Sequence, residues 1–468
     1  MHPIGWHDLA TATQGRLVPA NAWGRCAQIS TDSRSLQRGD VFWALPGEHR
    51  DGHDFAANAV TNGAALVVCQ SGRAAEIPGP KLVVGDTLAA LGRLARWHRR
   101  RHEALIIGVT GSVGKTTTKE LIHAALSRQF RGRRSPGNYN NLIGLPKSLL
   151  ELTVEDEFAV LELGASREGD IRALAEIAEP EVGVITAIGK SHLASFGSVE
   201  GIIRGKGELL EALPATGFAV LPGDDPVLRD MASRARCRAL FVGQRPNNDI
   251  QAGDVEFTAM ETSFTVAGQR FSVALPGPAL LTNALCAIAI AHDIGVPLEL
   301  IAEGLEDFQP LQGRGAVQVI GAWTVIDDCY NASPTSVEAA CRRLAMFPTS
   351  PRGRRYAVLG DMRELGPDAA AEHQRLGRLL SELPVDGLLA LGQHARDFAD
   401  GALRGGWRPG RIVATESLDV LLTVLDCWLE PQDTLLVKGS RVMQLERVVD
   451  WLRARAEHEG RFELRRSA

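Results

Sequence analysis

Lysine is scarce in this chain. Of 51 lysines and arginines only seven are lysine, at positions 81, 115, 119, 147, 190, 206 and 438, and the other 44 are arginine. A chain that takes its positive charge from arginine so heavily keeps some lysines where guanidinium cannot serve, as a compact point charge or as an amine that reacts once deprotonated. Lys81 and Lys119 read as ordinary, whereas Lys115, Lys206 and Lys438 fall inside motifs. A strong charge of either sign is also missing. Against 56 acidic residues the net charge is −5, which excludes a broadly basic nucleic-acid or membrane-surface binder but leaves room for a local basic pocket. The seven cysteines are scattered and never form a CxxC pair, so reduced, mostly buried thiols fit better than a disulfide framework. No cationic start with an apolar core opens the chain, so no signal peptide is expected. The apolar stretch from 280 to 294 is interrupted by Thr282, Asn283 and His292 and falls short of the ~20 residues a membrane span needs. A cytoplasmic protein with no nucleic-acid partner and no membrane insertion is expected.

What is present points to three α/β domains. A length of 468 residues is about three domains' worth of chain, and 45% hydrophobic with 23% charged residues is ordinary for a globular protein. Residues 1–85 alternate short apolar runs with turn signals and read as a small α/β module. Residues 86–312 open with an Arg-rich helix from Leu88 to Arg101 and then alternate strands and helices: a mostly parallel sheet with helices on both faces. Within this unit 250–275 is hairpin-like and is followed by helices over 281–291 and 298–308. Residues 313–468 form a separate Rossmann-like series, with strands at Thr324–Asp327, Tyr356–Leu359, Gly387–Leu391, Arg411–Ala414 and Thr434–Val437, each followed by a helix.

The sharpest motif is Gly108-Val109-Thr110-Gly111-Ser112-Val113-Gly114-Lys115-Thr116-Thr117, between the strand Ala104–Val109 and a helix over 118–127. Small residues there let backbone N–H groups converge on phosphates at a helix N-terminus. Lys115 is expected to reach the β- and γ-phosphates of ATP, and the Thr116 hydroxyl to ligate Mg²⁺. The glycines fall at 108, 111 and 114, a variant of the strict spacing, in which Val109 stands where a glycine is usual. The competing reading is a glycine-rich turn before an ordinary helix. Glu162 ends the apolar run begun at Phe158, and His192 follows the next strand. Both are expected at the carboxyl edge of the sheet beside the loop, where they would make a Mg²⁺ site.

With these residues in view, the chain resembles the Mur ligase family. Thr31-Asp32-Ser33-Arg34, Gly39 through Glu48 and Asp51-Gly52-His53-Asp54-Phe55 look like its uridine-nucleotide module. The middle of the chain adds Asn138-Tyr139-Asn140-Asn141, Ser191-His192-Leu193 and Phe196-Gly197-Ser198. The last third adds Asp327-Asp328-Cys329-Tyr330-Asn331-Ala332, Leu359 through Gly366 and Lys438-Gly439-Ser440-Arg441. The Asp-Asn-Pro-Arg of relatives that add a diamino acid is absent, which favours the dipeptide-adding type. The resemblance implies an ATP-dependent amide ligase that joins D-alanyl-D-alanine to UDP-N-acetylmuramoyl-tripeptide in peptidoglycan synthesis, with ATP and Mg²⁺. The tripeptide carboxylate attacks the γ-phosphate, and the dipeptide amine then displaces phosphate from the acyl phosphate. A monomer is expected.

The resemblance also implies roles for individual residues. Lys115, His192 and Lys206 would be catalytic, and Thr116, Glu162, His192 and Lys206 would hold metal, with Lys206 carbamylated. Nucleotide contacts would come from Gly111, Ser112, Val113, Gly114, Lys115, Thr116, Thr117, Asn283, Arg314, Asp328 and Asn331. Substrate contacts would come from Ser33, Arg34, Gly47, Asn138, Asn141, Lys438, Ser440 and Arg441. Without the resemblance Lys206 reads equally as a helix-surface lysine, and Lys438 equally as a cap on its strand. One departure stands out: where the family has Gly-x-His-Asn-x-x-Asn-Ala, this chain has Gly277-Pro278-Ala279-Leu280-Leu281-Thr282-Asn283-Ala284. Two rivals are a folylpolyglutamate synthetase-like enzyme, against which the N-terminal module argues, and a nucleotide-binding regulator without catalysis.

Overall fold

The computed structural model describes residues 3–466 apart from 27, 48, 49, 190–192 and 349. His192, together with Glu48, Lys190 and Ser191 of the motifs above, therefore lies outside the described residues.

Continuous Val/Ile/Leu runs cannot leave either face to water, so they gather into sheets covered on both sides. The central sheet has seven parallel strands in the order Ile250–Gln251, Arg238–Gly243, Phe218–Pro222, Val182–Ile185, Leu105–Thr110, Phe158–Glu162 and Gly132–Arg134. The strand that feeds the glycine-rich loop is thus flanked by Phe158–Glu162 and Val182–Ile185. Registers place Glu162 beside Val109, and Ile185 beside Thr110. The chain order reverses at this strand, the place where open α/β sheets bind ligands. The helix Pro278–Asp293 is apolar almost all round, with Leu280 and Leu281 and all of 283–291 buried, and it packs on the loop helix Lys115–Leu126.

The first unit is a five-stranded sheet in the order Arg16–Val18, Lys81–Val84, Leu66–Gln70, Val41–Trp43 and Ile29–Ser30. The helix Thr87–Arg99 packs on Trp6–Thr13 of this unit and on Gly144–Leu150 and Asp170–Ala178 of the next. Its buried Leu91 and Leu94 belong to one apolar cluster that also holds Trp43, Leu82, Leu149 and Leu174. The hairpin-like stretch forms a separate antiparallel sheet of Gly253–Phe257, Thr262–Val266 and Gln269–Val273.

The last unit has six strands in the order Ala316–Ile320, Trp323–Asp328, Thr434–Lys438, Arg355–Gly360, Gly387–Leu391 and Ile412–Thr415. The sequence reading finds five of these. The sixth, Ala316–Ile320, is an antiparallel edge strand whose Val319 is 79% exposed, so it carries no buried run to betray it.

Candidate active site

The loop between Leu105–Thr110 and Lys115–Leu126 is shaped by close approaches that only glycine permits. At Gly111, φ is +150° and a Cβ would lie 2.0 Å from the Thr186 hydroxyl; at Gly114, φ is +85° and a Cβ would lie 2.7 Å from Asn283 Oδ1. Thr186 donates to the Val113 carbonyl at 2.5 Å and Ser112 to that of Gly189 at 3.0 Å, so the flanking loop braces the turn. The helical hydrogen-bond ladder starts with Thr118 N donating to Gly114 O at 2.8 Å. The amides before it therefore face the loop, which suits a phosphate. Lys115 folds back over the turn and donates from Nζ to Gly111 O at 2.9 Å. Burial draws its pKa below the ordinary lysine value; Glu162 opposes that shift and Arg314 adds to it. Gly111, Ser112, Val113, Gly114, Lys115, Thr116, Thr117 and Asn283 are thus brought together.

Beside the loop, Glu162 is only 2% exposed. Its Oε2 accepts from the Thr116 hydroxyl at 2.8 Å, its Oε1 from Asn140 Nδ2 at 2.9 Å, and its own amide donates to Ser135 Oγ at 3.2 Å. The carboxylate is therefore held by neutral donors that fix its direction, with the Lys115 charge close enough to interact with it. The Thr116 proton points at Glu162, which leaves the hydroxyl's lone pairs free for a cation.

Lys206, in the helix Val199–Ala212, is 1% exposed, with Nζ 5.8 Å from the centre of the Phe196 ring. No described residue accepts a hydrogen bond from it. Burial, with repulsion from Lys115 added, brings its pKa down to about 7. An amine that is half neutral near neutral pH, and close enough to Lys115 to feel its charge, is a far better nucleophile than a surface lysine.

Hard oxygens from Thr116 and Glu162, and the carbamate oxygens that a neutral Lys206 amine can acquire, are the donors Mg²⁺ prefers. The donor set fits that ion.

The last unit reaches the loop through Arg314, close enough to influence the Lys115 charge and in line with Thr116 and Thr117 along one crevice. The Arg314 guanidinium stacks 3.7 Å from the centre of the Tyr330 ring, and the Arg441 guanidinium lies 6.0 Å from the same centre. Lys438 is 2% exposed; its Nζ donates to Asp328 Oδ2 at 2.6 Å and to Asn331 O at 2.9 Å. These bonds tie down the strand end, as the capping reading of Lys438 expects. Ser440 donates from its amide to Asp361 O at 3.1 Å and accepts from Arg363 N at 2.9 Å. Arg441 is exposed and pairs with Glu446 at 2.6 Å.

In the first unit Arg34 pairs with Asp32 at 2.7 Å, Ser33 offers its carbonyl to Asn62 at 3.4 Å, and Gly47 is exposed beyond the strand Val41–Trp43. This motif meets the central unit where Lys147 Nζ donates to Thr31 Oγ1 at 3.1 Å. Asn138 is exposed. Asn141 turns its side chain back to accept from Ile143 N and Gly144 N at 3.1 and 2.8 Å, capping the following helix. Its neighbour Asn140 is the one that reaches Glu162.

Three residues escape the sequence reading. Asn140 and Tyr330 are visible only as motif members. Lys119, read there as ordinary, is fully buried, and its Nζ donates to Ser135 O at 2.6 Å and Gly137 O at 3.3 Å, which holds the segment leading to Asn140.

The same assembly occurs in known proteins. Residues 25–99 match the Mur ligase family, catalytic domain; residues 109–291 the Mur ligase middle domain; and residues 314–441 the Mur ligase, glutamate ligase domain. The UDP-N-acetylmuramoyl-tripeptide–D-alanyl-D-alanine ligases of Bacillus subtilis and Escherichia coli are 36% and 35% identical, each over 90% of this chain and 92% of the relative. The crystal structure of MurF from Acinetobacter baumannii superposes with a TM-score of 0.87 at 33% identity, covering 97% of this chain and 99% of that one. MurF ligase from Thermotoga maritima, in complex with ADP, gives 0.78 at 30% identity over 92% and 98%. On sequence, order of domains and fold, this chain belongs to the Mur ligase family.

Proposed function

We propose that the chain is the ATP-dependent ligase that joins D-alanyl-D-alanine to UDP-N-acetylmuramoyl-tripeptide, forming ADP, phosphate and the pentapeptide precursor of peptidoglycan. The observation that carries this reading is the buried Glu162, held by Thr116 and Asn140 beside Lys115. It puts a buried carboxylate and a phosphate loop at one sheet edge. Residues 1–85 bind the nucleotide sugar, 86–312 bind ATP, and 313–468 bring the nucleotide-facing Arg314, Asp328 and Asn331 and the dipeptide-facing Lys438, Ser440 and Arg441. Ser33, Arg34, Gly47, Asn138 and Asn141 line the path of the nucleotide-sugar substrate. The enzyme works as a cytoplasmic monomer, and its product serves cell-wall growth and hence cell shape and division. Among the described residues no helix is long and apolar enough to cross a membrane.

In the reaction a carboxylate oxygen of the tripeptide attacks the γ-phosphorus and the bond to ADP breaks. The dipeptide amine then attacks the acyl carbon, loses a proton, and phosphate leaves. Lys115 and the loop amides hold the γ-phosphate in line and spread its charge, so catalysis is positioning plus electrostatic stabilisation. Glu162 orients the Thr116 hydroxyl. Thr116, Glu162, His192 and Lys206 would hold Mg²⁺, which when bound supplies charge neutralisation at the phosphates. Lys206 takes part as a carbamate: its neutral amine adds to CO₂, a C–N bond forms, and one proton is released. ADP release should require both the UDP-tripeptide and the dipeptide, with the amide product seen by mass spectrometry; release that ignores either substrate would refute the reading.

A further inference from the structure

Three consecutive residues, 361 to 363, are held from both sides. The Asp361 carbonyl accepts from Ser440 N at 3.1 Å and Arg363 N donates to Ser440 Oγ at 2.9 Å. Between them the Met362 amide donates in the other direction, to Nε2 of His373 at 3.0 Å. His373 is fully buried in the helix Ala369–Glu382. Its Nδ1 lies 2.6 Å from Ala369 O, an atom that only accepts. The imidazole is therefore neutral, with its proton on Nδ1 and its Nε2 lone pair turned to Met362. Its ring stacks on His394 with centres 4.6 Å apart, and Phe398 meets it edge-on at 4.8 Å. His394 is fixed in turn, its amide donating to Asp361 Oδ1 at 3.0 Å and its Nδ1 lying 2.8 Å from Asp397 Oδ2. The ring is clamped and cannot tilt without disturbing the same loop.

We propose that His373 is a positioning residue for the dipeptide subsite. Through the Met362 amide it sets the loop 361–363, and that loop holds Ser440 by its amide and its hydroxyl. Ser440 stands between Lys438 and Arg441, so the aim of this face depends on a side chain that does not reach it. The inference rests on the assignment of Lys438, Ser440 and Arg441 to the incoming dipeptide. It is distinct from the phosphate chemistry, which uses the central sheet.

The test compares His373→Leu, which removes the acceptor, with His373→Gln, whose amide oxygen can stand near Nε2, and His373→Asn, whose shorter side chain cannot reach. In the purified full-length enzyme the KM for D-alanyl-D-alanine should rise about tenfold in the Leu and Asn variants, because a buried N–H is left without a partner. The KM for ATP and for the UDP-tripeptide should stay within about twofold, and the Gln variant should recover most of the loss. Amide hydrogen exchange without substrate should be faster at Met362, Arg363 and Ser440 in Leu and Asn than in wild type or Gln. Equal losses in Gln and Asn, or a Leu variant that weakens all three substrates alike, would overturn the proposal, since either would mean that the ring only fills space. Failure of the underlying assignment looks different: exchange would follow the predicted order while the KM for the dipeptide stayed at the wild-type value, leaving His373 as a holder of a loop that binds no dipeptide and overturning its role in that subsite.

Discussion

The Thr116 hydroxyl donates to Glu162 Oε2 at 2.8 Å, which ties the first turn of the phosphate-loop helix to the end of the neighbouring strand. Glu162→Gln preserves the side-chain shape and the bond from Thr116 but removes the charge. Turnover measured by ADP release should fall by ~10²-fold or more, about 3 kcal/mol of transition-state stabilisation, while binding of the UDP-substrate persists. Lys115→Ala should be at least as severe. Retention of more than a tenth of wild-type turnover by either variant would show that the phosphates lie elsewhere.

Lys206 offers a chemical test. If it works as a carbamate, enzyme stripped of bicarbonate should lose activity and regain it on addition of bicarbonate. Lys206→Arg should be nearly inactive with or without bicarbonate, because guanidinium stays protonated and cannot add to CO₂. If it is only a cation near phosphate, the Arg variant should keep substantial activity and bicarbonate should have no effect.

The same lysine should cost stability when nothing is bound. Its pKa is about 7 in the folded chain against an ordinary 10.5, so between those values the unfolded chain holds more protons and stability rises with pH. Lys206→Met removes the buried amine. In metal-free, bicarbonate-free buffer it should unfold at a higher temperature than wild type, with a gain on the order of 2 kcal/mol below pH 7. The gain should shrink from pH 7 towards 10. A gain that does not change with pH would contradict the depressed pKa.

The Ala279-Leu280 departure separates into two effects. Ala279 is exposed at the start of its helix, whereas Leu280 is 5% exposed and part of the central apolar cluster. Leu280→Asn should therefore lower stability by about 2–4 kcal/mol, as cavity formation and burial of an amide combine. Ala279→His should leave the melting temperature nearly unchanged and is the variant that can sharpen the preference for ATP over GTP. Urea denaturation of each single variant, followed by KM for both nucleotides, checks the division. If Leu280→Asn proves stable and lowers the KM for ATP, position 280 faces the nucleotide and not the core.

Most of the architecture was legible because parallel sheets write themselves as uninterrupted apolar runs. Gly387–Leu391 appears in the structure with the bounds read from the sequence. The edge strand Ala316–Ile320 was not legible, since half of it faces water. Of the site, the glycine-rich loop and Glu162 could be read because spacing and a strand end place them, whereas Lys206, inside a helix, was singled out only by the family resemblance. Direction could not. Asn140 and Asn141 are adjacent and identical, and only the fold turns one to Glu162 and the other to a helix N-terminus. Lys119 looked ordinary because its partners, Ser135 and Gly137, are distant in sequence. His373 has no local signature: its meaning lies in a single amide eleven residues earlier.

The helix Thr87–Arg99 has a consequence for what the protein can accept. It shares one apolar cluster with the first unit and with the central one, and Lys147 bonded to Thr31 closes their seam. The interval from the Ser33-Arg34 motif to the Lys115 loop is then set by this packing. Any substrate gripped at one end of this ruler presents its other end to the γ-phosphate only if the chain between them has the matching reach. A tripeptide shortened by one residue would bind its nucleotide normally and still hold its carboxylate out of range.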